Sequence, residues 1–176
     1  FPNLLVGEPQ LHPLNDAFAS YLNDIVPSRL AIYSKGDVIY GAPTHVGATV
    51  AYYDVGLLES AGIDYREIVT WDDFIEAGKK LKEVHPDKHM GIAETSANWT
   101  LAAMLTQQGS DFVDDNGQPT LDTPEMLRAV TLMQQMVKDG VMTTCPGGQP
   151  DTEEGKGFVN QGNVATVIML LWFMIR

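Results

Sequence analysis

Apolar and polar positions alternate along the chain in two periods, and switches between the periods mark the elements. In "NDAFASYLNDIV" (residues 15–26) Phe18, Tyr21, Leu22 and Ile25 recur at helical spacing behind a polar start at Asn15, and Pro27 ends the pattern. "VGLLESAG" predicts a short helix closed by Gly62. Thr70 then opens a longer one, with Asp73 three residues on as a capping-box partner and Phe74, Ile75, Gly78 and Leu81 as its inward stripe. "NWTLAAMLTQQG" is a third, starting near Asn98 and stopping at Gly109. The best-marked helix is "TPEMLRAVTLMQQMVKDG", with Thr123 as cap, Pro124 at the first position and Gly140 as stop. Its apolar face is expected to be Met126, Val130, Met133 and Val137. A short helical stretch reaching Gln161 follows the loop "CPGGQPD".

Between the helices, "FPNLLVG", "GDVIYGAP", "ATVAYYD", "GIAE" and "NVATVIM" read as strands, rich in β-branched and aromatic residues or as short apolar runs. Strands alternating with helices predict an α/β fold. "DDNGQPTLD" is turn chemistry, and no internal repeat appears.

Composition narrows the function. With 176 residues, 44% hydrophobic and 19% charged, the chain is globular. Eleven Lys and Arg against 23 Asp and Glu give a net charge of -12, which repels phosphate backbones and anionic membranes and so argues against nucleic acid as a partner. Cys145 is the sole cysteine, so there is neither an internal disulfide nor a CxxC motif. The longest apolar run, Val164 to Ile175, falls short of the ~20 residues of a membrane span. It is also where the sequence stops, which suggests a piece of a longer chain.

No enzyme signature is present: no GxSxG, Walker A, HExxH or strand-to-helix GxGxxG. "HPDKH" (residues 85–89) offers two histidines, but its proline breaks helical ligand spacing, so no metal and no other cofactor is expected. The pairs Asp72-Asp73 and Asp114-Asp115 stand at a cap and a turn, where carboxylates serve locally, and no catalytic residue is assigned. What remains is an aromatic and polar set: Trp71, Trp99, Trp172, Tyr52, Tyr53, His45, Glu94 and Asn98. Aromatic faces stack on the C–H faces of sugar rings while carboxylates and amides bond hydroxyls, a mixture suited to a carbohydrate pocket. Each tryptophan taken singly is equally at home in a core.

Four segments, in order, resemble the bacterial extracellular solute-binding proteins (family 1, sugar-binding, maltose-binding-protein-like). They are Gly36–Pro43 with "YYDVGLLESAG", then Thr70-Trp71-Asp72-Asp73-Phe74, then "GQPTLDTPEMLRAVTLMQQMVKDG", then "GFVNQGNVATVIMLLW". The resemblance implies a type II periplasmic-binding-protein-like architecture of two α/β lobes, incomplete here and mostly the second lobe. Residues 1–46 would belong to the first lobe and 47–176 to the second, with the ligand cleft between them. It implies ligand contacts from Trp99, Trp172, Glu94 and Asn98, and from His45 and Gly47 in the crossover. Asn98 has a competing role as cap of the helix it precedes. Trp71 is expected to pack over its helix start and is left out of the site.

The implied function is capture of a sugar or oligosaccharide, in the periplasm or outside the cell, for the membrane subunits of an ABC importer. Which sugar, and whether a lipid anchors the protein, stay open. The same fold could take a glycerol phosphodiester or a polyamine, and a secreted carbohydrate-active enzyme or a purely structural module are the other readings. Two departures stand out. Only "EPQ" separates "PNLLVG" from "LHPLND", where the family carries another helix, so residues are expected to be missing near Gln10 and Leu11. Leu170 or Leu171 also stands where the family has glycine near its last tryptophan.

Overall fold

The computed structural model describes residues 2–44, 47–114 and 116–175. The chain divides into two compact units, Phe1–Gly47 and Ala48–Arg176.

In the first unit a 3-10 turn, Pro2–Leu5, occupies the run expected to be a strand. Leu4 and Val6 are exposed, and without a buried face an extended conformation has nothing to stabilise it. The helix expected over 15–26 is likewise broken into α1 (Asn15–Phe18) and a 3-10 turn at Leu22–Asp24. Asn15 does not cap it. Its Nδ2 donates to the Asp37 carbonyl at 2.7 Å and its Oδ1 accepts from Ile39 N–H at 3.0 Å, so the side chain holds the neighbouring hairpin instead. Tyr21 and Leu22 are exposed, leaving the predicted stripe without a surface to bury. Pro27 opens α2 (Pro27–Ala31) as its first residue, and a hairpin of β1 (Ser34–Lys35) and β2 (Val38–Ile39) follows.

The second unit carries the main core. β3 (Thr49–Tyr53) runs antiparallel to β6 (Thr166–Leu170), with Ala51 opposite Ile168. β4 (Gly91–Ile92) is parallel to β5 (Met142–Thr143), and a bridge between His89 and Val164 leads β6 in beside them. Around these strands lie α3 (Val55–Ser60), α4 (Trp71–Val84), α5 (Trp99–Gln107), α6 (Pro124–Lys138) and α7 (Glu153–Asn160). One hydrophobic cluster, around Leu58, Phe74, Leu81, Met90, Met104, Leu105, Met136 and Val141, is built mainly by α3 to α6. A smaller cluster of Ile92, Cys145, Val164, Val167 and Met169 lies on the strands.

Local chemistry explains the helix boundaries. At α4 the capping box is complete: Thr70 Oγ1 accepts from Asp73 N–H, and Asp73 Oδ2 accepts from Thr70 N–H at 2.8 Å. Trp71 sets its ring edge-on to Phe74, with centroids 5.5 Å apart, and its Nε1 donates to Gln107 Oε1 at 2.8 Å. The aromatic at the helix entrance therefore ties the start of α4 to the end of α5. In α6 the expected face is turned. Met126, Ala129 and Met136 are buried, whereas Val130 and Val137 are 48% and 42% exposed. The helix packs on α5 through a face that includes the small Ala129, a position that hydrophobic spacing alone did not select.

Candidate ligand-binding site

Pairing in the β3–β6 ribbon fixes which side chains share a face, because partners in an antiparallel ladder point the same way. Tyr52 and Val167 are partners, as are Val50 and Met169; Val167 and Met169 are buried in the smaller cluster. Against that cluster pack Trp99, from the first turn of α5, and Trp172, just beyond β6, together with Tyr52 and Phe173. The Tyr52 and Phe173 rings stand 5.9 Å apart, and Phe173 meets Trp172 edge-on at 6.4 Å. The Tyr52 hydroxyl donates to the Leu170 carbonyl at 3.1 Å. Two tryptophans 73 positions apart in sequence are thus brought to one apolar surface, each half-buried.

The segment from Glu94 to Asn98 leads into Trp99. Asn98 occupies the N-cap position of α5 but makes no side-chain cap bond, and it is exposed. Glu94 does the capping: its Oε1 accepts from the Thr100 hydroxyl at 2.9 Å and its Oε2 from Thr100 N–H at 3.3 Å. The competing role foreseen for Asn98 has therefore passed to Glu94, which leaves the Asn98 amide facing water. Burial pushes the Glu94 carboxyl above its ordinary value, more than the two bonds from Thr100 pull it down. A folded-state pKa above the unfolded one means the folded protein holds the proton more tightly. This group's contribution to stability is therefore full below the usual carboxylate range and is lost as pH rises through the raised value. The substitution Glu94→Gln keeps an acceptor for Thr100 and removes the titration. It is expected to flatten the fall in unfolding free energy as pH rises above the usual carboxylate range, measured by urea titration at several pH values.

Gly47 is half-buried at the end of the first unit, and His45 lies outside the described residues. The histidines of "HPDKH" have separate structural partners: His85 Nε2 lies 2.8 Å from Ser60 Oγ, and His89 Nδ1 lies 2.8 Å from the Gly140 carbonyl. Among the described residues no group of three or more His, Cys, Asp or Glu is placed to hold a metal ion. Asp114 accepts from the Asn116 and Gln118 N–H groups of its own turn, and Asp115 lies outside the described residues. The Cys145 thiol is buried, and burial pushes it up, away from the reactive thiolate.

Sequence reasoning overlooked a cavity of about 620 Å³ on the opposite face of the ribbon. Thr49, Ala51 and Ile168 line one side of it; Trp71, Gln107 and Arg128 line the other. It also overlooked Phe173 and Gln149, whose side-chain oxygen receives the Trp99 indole N–H at 3.4 Å.

Comparison with known proteins places this arrangement. The sequence profile of the bacterial extracellular solute-binding proteins matches residues 2–174. The chain is 41% identical to an arabinooligosaccharide-binding protein of Halalkalibacterium halodurans and 37% identical to one of Bacillus subtilis, in each case over its whole length and about two fifths of theirs. Among solved structures, the transporter-associated binding protein of B. animalis subsp. lactis, in complex with beta-1,6-galactobiose, matches 98% of this chain and 42% of its own. The TM-score is 0.77 at 18% identity. A Mycobacterium tuberculosis protein in complex with glycerophosphocholine matches 91% of the chain with a TM-score of 0.72 at 22% identity. The chain belongs to the bacterial extracellular solute-binding protein family, and its fold is the α/β fold of the type II periplasmic binding proteins. The alignment to the H. halodurans protein spans 177 positions, one more than this chain has residues, which leaves no room for a whole helix lost near Gln10 and Leu11. Over the short "EPQ" connection the two sequences run at about equal length, which speaks against the expectation of missing residues there.

Proposed function

We propose that this chain is part of the solute-binding component of an ABC importer and that its ligand is an oligosaccharide, with arabino-oligosaccharides the first to test. The observation that carries the reading is the pair of relatives at 41% and 37% identity over the entire chain, both named arabinooligosaccharide-binding protein. The half-buried indoles of Trp99 and Trp172 and the exposed Asn98 suit stacking on sugar C–H faces and bonding to hydroxyls. In this reading residues 1–46 contribute to the first lobe and 47–176 make most of the second. Trp99, Trp172, Asn98, His45 and Gly47 approach the sugar from the two sides. Glu94 acts from beneath, by fixing the start of α5. The protein works outside the cytoplasmic membrane, delivers its ligand to the membrane subunits and performs no chemistry on it.

A thermal-shift panel on the natural full-length protein tests this. Arabinotriose, maltotriose, galactobiose, mannitol, spermidine and glycerophosphocholine form the panel, and an oligosaccharide is expected to raise Tm by several degrees at concentrations well above Kd. A shift with glycerophosphocholine or spermidine alone would replace the sugar with that class. Product formation on prolonged incubation would make the protein an enzyme.

A further inference from the structure

Trp99 does not hold its position through α5 alone. Beside it the chain makes a tight turn, Pro146–Gly148, with Gly147 and Gly148 at φ of 74° and 77°. The Gly148 carbonyl accepts from Thr95 N–H at 2.8 Å and from Ser96 N–H at 3.2 Å, and the Gly147 carbonyl accepts from Ser96 Oγ at 3.1 Å. One residue on, Gln149 Oε1 accepts from Trp99 Nε1. The turn is anchored on its far side too. Thr152 Oγ1 donates to the Gln149 carbonyl at 3.1 Å and accepts from Gly155 N–H at 2.9 Å, which caps α7. Only glycine fits at 148. The φ is left-handed, and a Cβ there would stand 2.7 Å from Ser96 Oγ and 2.9 Å from Thr95 Oγ1.

We propose that Gly148 and Gln149 are positioning residues for ligand binding: they clamp the 95–99 segment and set the plane of the Trp99 ring before ligand arrives. The inference rests on the sugar-binding reading above. Its physical content is preorganisation. A loop already bonded at Thr95, Ser96 and Trp99 loses less conformational freedom when a sugar stacks on it, and that saving appears as affinity. Gln149 is a specific lever, because its acceptor reaches one indole N–H at the ring edge.

The test uses natural full-length protein, arabinotriose as probe, and the variants Gln149→Leu, Trp99→Phe and the double replacement. Gln149→Leu is expected to weaken binding about threefold to tenfold by calorimetry with little change in Tm. Trp99→Phe keeps a ring but has no N–H, so adding Gln149→Leu to it is expected to change affinity no further. Full additivity, or unchanged affinity in Gln149→Leu, would overturn the proposal. A second readout needs no ligand. In a nitrogen-15 spectrum the Trp99 indole resonance, identified by its loss in Trp99→Phe, is expected to move upfield in Gln149→Leu while that of Trp71 stays. An unmoved Trp99 resonance overturns the clamp itself, whereas a moved resonance in a protein that ignores arabinotriose leaves the clamp standing and removes the arabino-oligosaccharide assignment.

Discussion

Replacing Trp99 and Trp172 together by alanine is expected to weaken oligosaccharide binding by about a hundredfold in the full-length protein, and each alone by about tenfold. Aromatic stacking contributes on the order of 1 kcal/mol beyond burial, and ~1.4 kcal/mol corresponds to a decade of affinity. Both rings rest on the same buried cluster of Ile92, Val167 and Met169, so each presents a supported, half-exposed face. Trp71→Phe is the control. That ring belongs to the larger core cluster and to the bond with Gln107, so the change is expected to lower stability modestly and leave affinity within about twofold of the parent. Titration calorimetry on the four variants and the parent checks the set. Unchanged affinity in the double alanine variant would remove both residues from the site.

The second large effect is on stability and lies within one helix. Met136→Ala is expected to cost about 2 to 5 kcal/mol, because Met136 is 0% exposed and its loss leaves a cavity between α6 and the rest of the core. Val130→Ala, six residues earlier, is expected to change stability by less than about 0.5 kcal/mol, since Val130 is 48% exposed. Urea denaturation of both variants reads the difference directly. Equal effects would mean that α6 turns its Val130 and Val137 face inward, as its hydrophobic spacing had suggested.

That contrast shows what the sequence made legible. Where local chemistry decides, the reading held: Thr70 and Asp73 form their box, Thr123 and Pro124 start α6, and Gly62 and Gly140 take the left-handed conformations that end helices. Where tertiary packing decides, it slipped. Hydrophobic spacing in α6 is nearly satisfied by two faces one residue apart, and the choice rests on Ala129, a residue too small to weigh in a hydrophobic pattern. The run "FPNLLVG" and the segment 15–26 carried apolar residues at plausible spacing but found no surface to bury them, so 3-10 turns replaced a strand and most of a helix.

The arrangement of the candidate residues was legible in part for the same reason. Trp99 and Trp172 were selected by residue type and by position in motifs, and the packing of α5 and of the segment after β6 on the strands sets them on one cluster. The exchange of roles between Glu94 and Asn98 was hidden. Asn98 has the favoured cap side chain in the favoured place, and only the approach of the Glu94 carboxylate to Thr100 shows that the cap comes from four residues before it. Gln149 carried no signal, because its partner lies fifty positions away.

The central claim, that sugar is held by the face bearing Trp99 and Trp172, is tested most directly by a crystal structure of the full-length protein with arabinotriose. The expected result is a sugar ring stacked within about 4 Å of at least one of the two indoles, with the Asn98 amide bonded to a hydroxyl. A sugar found instead in the cavity between Trp71, Arg128 and Ala51, with Trp99 and Trp172 untouched, would contradict it.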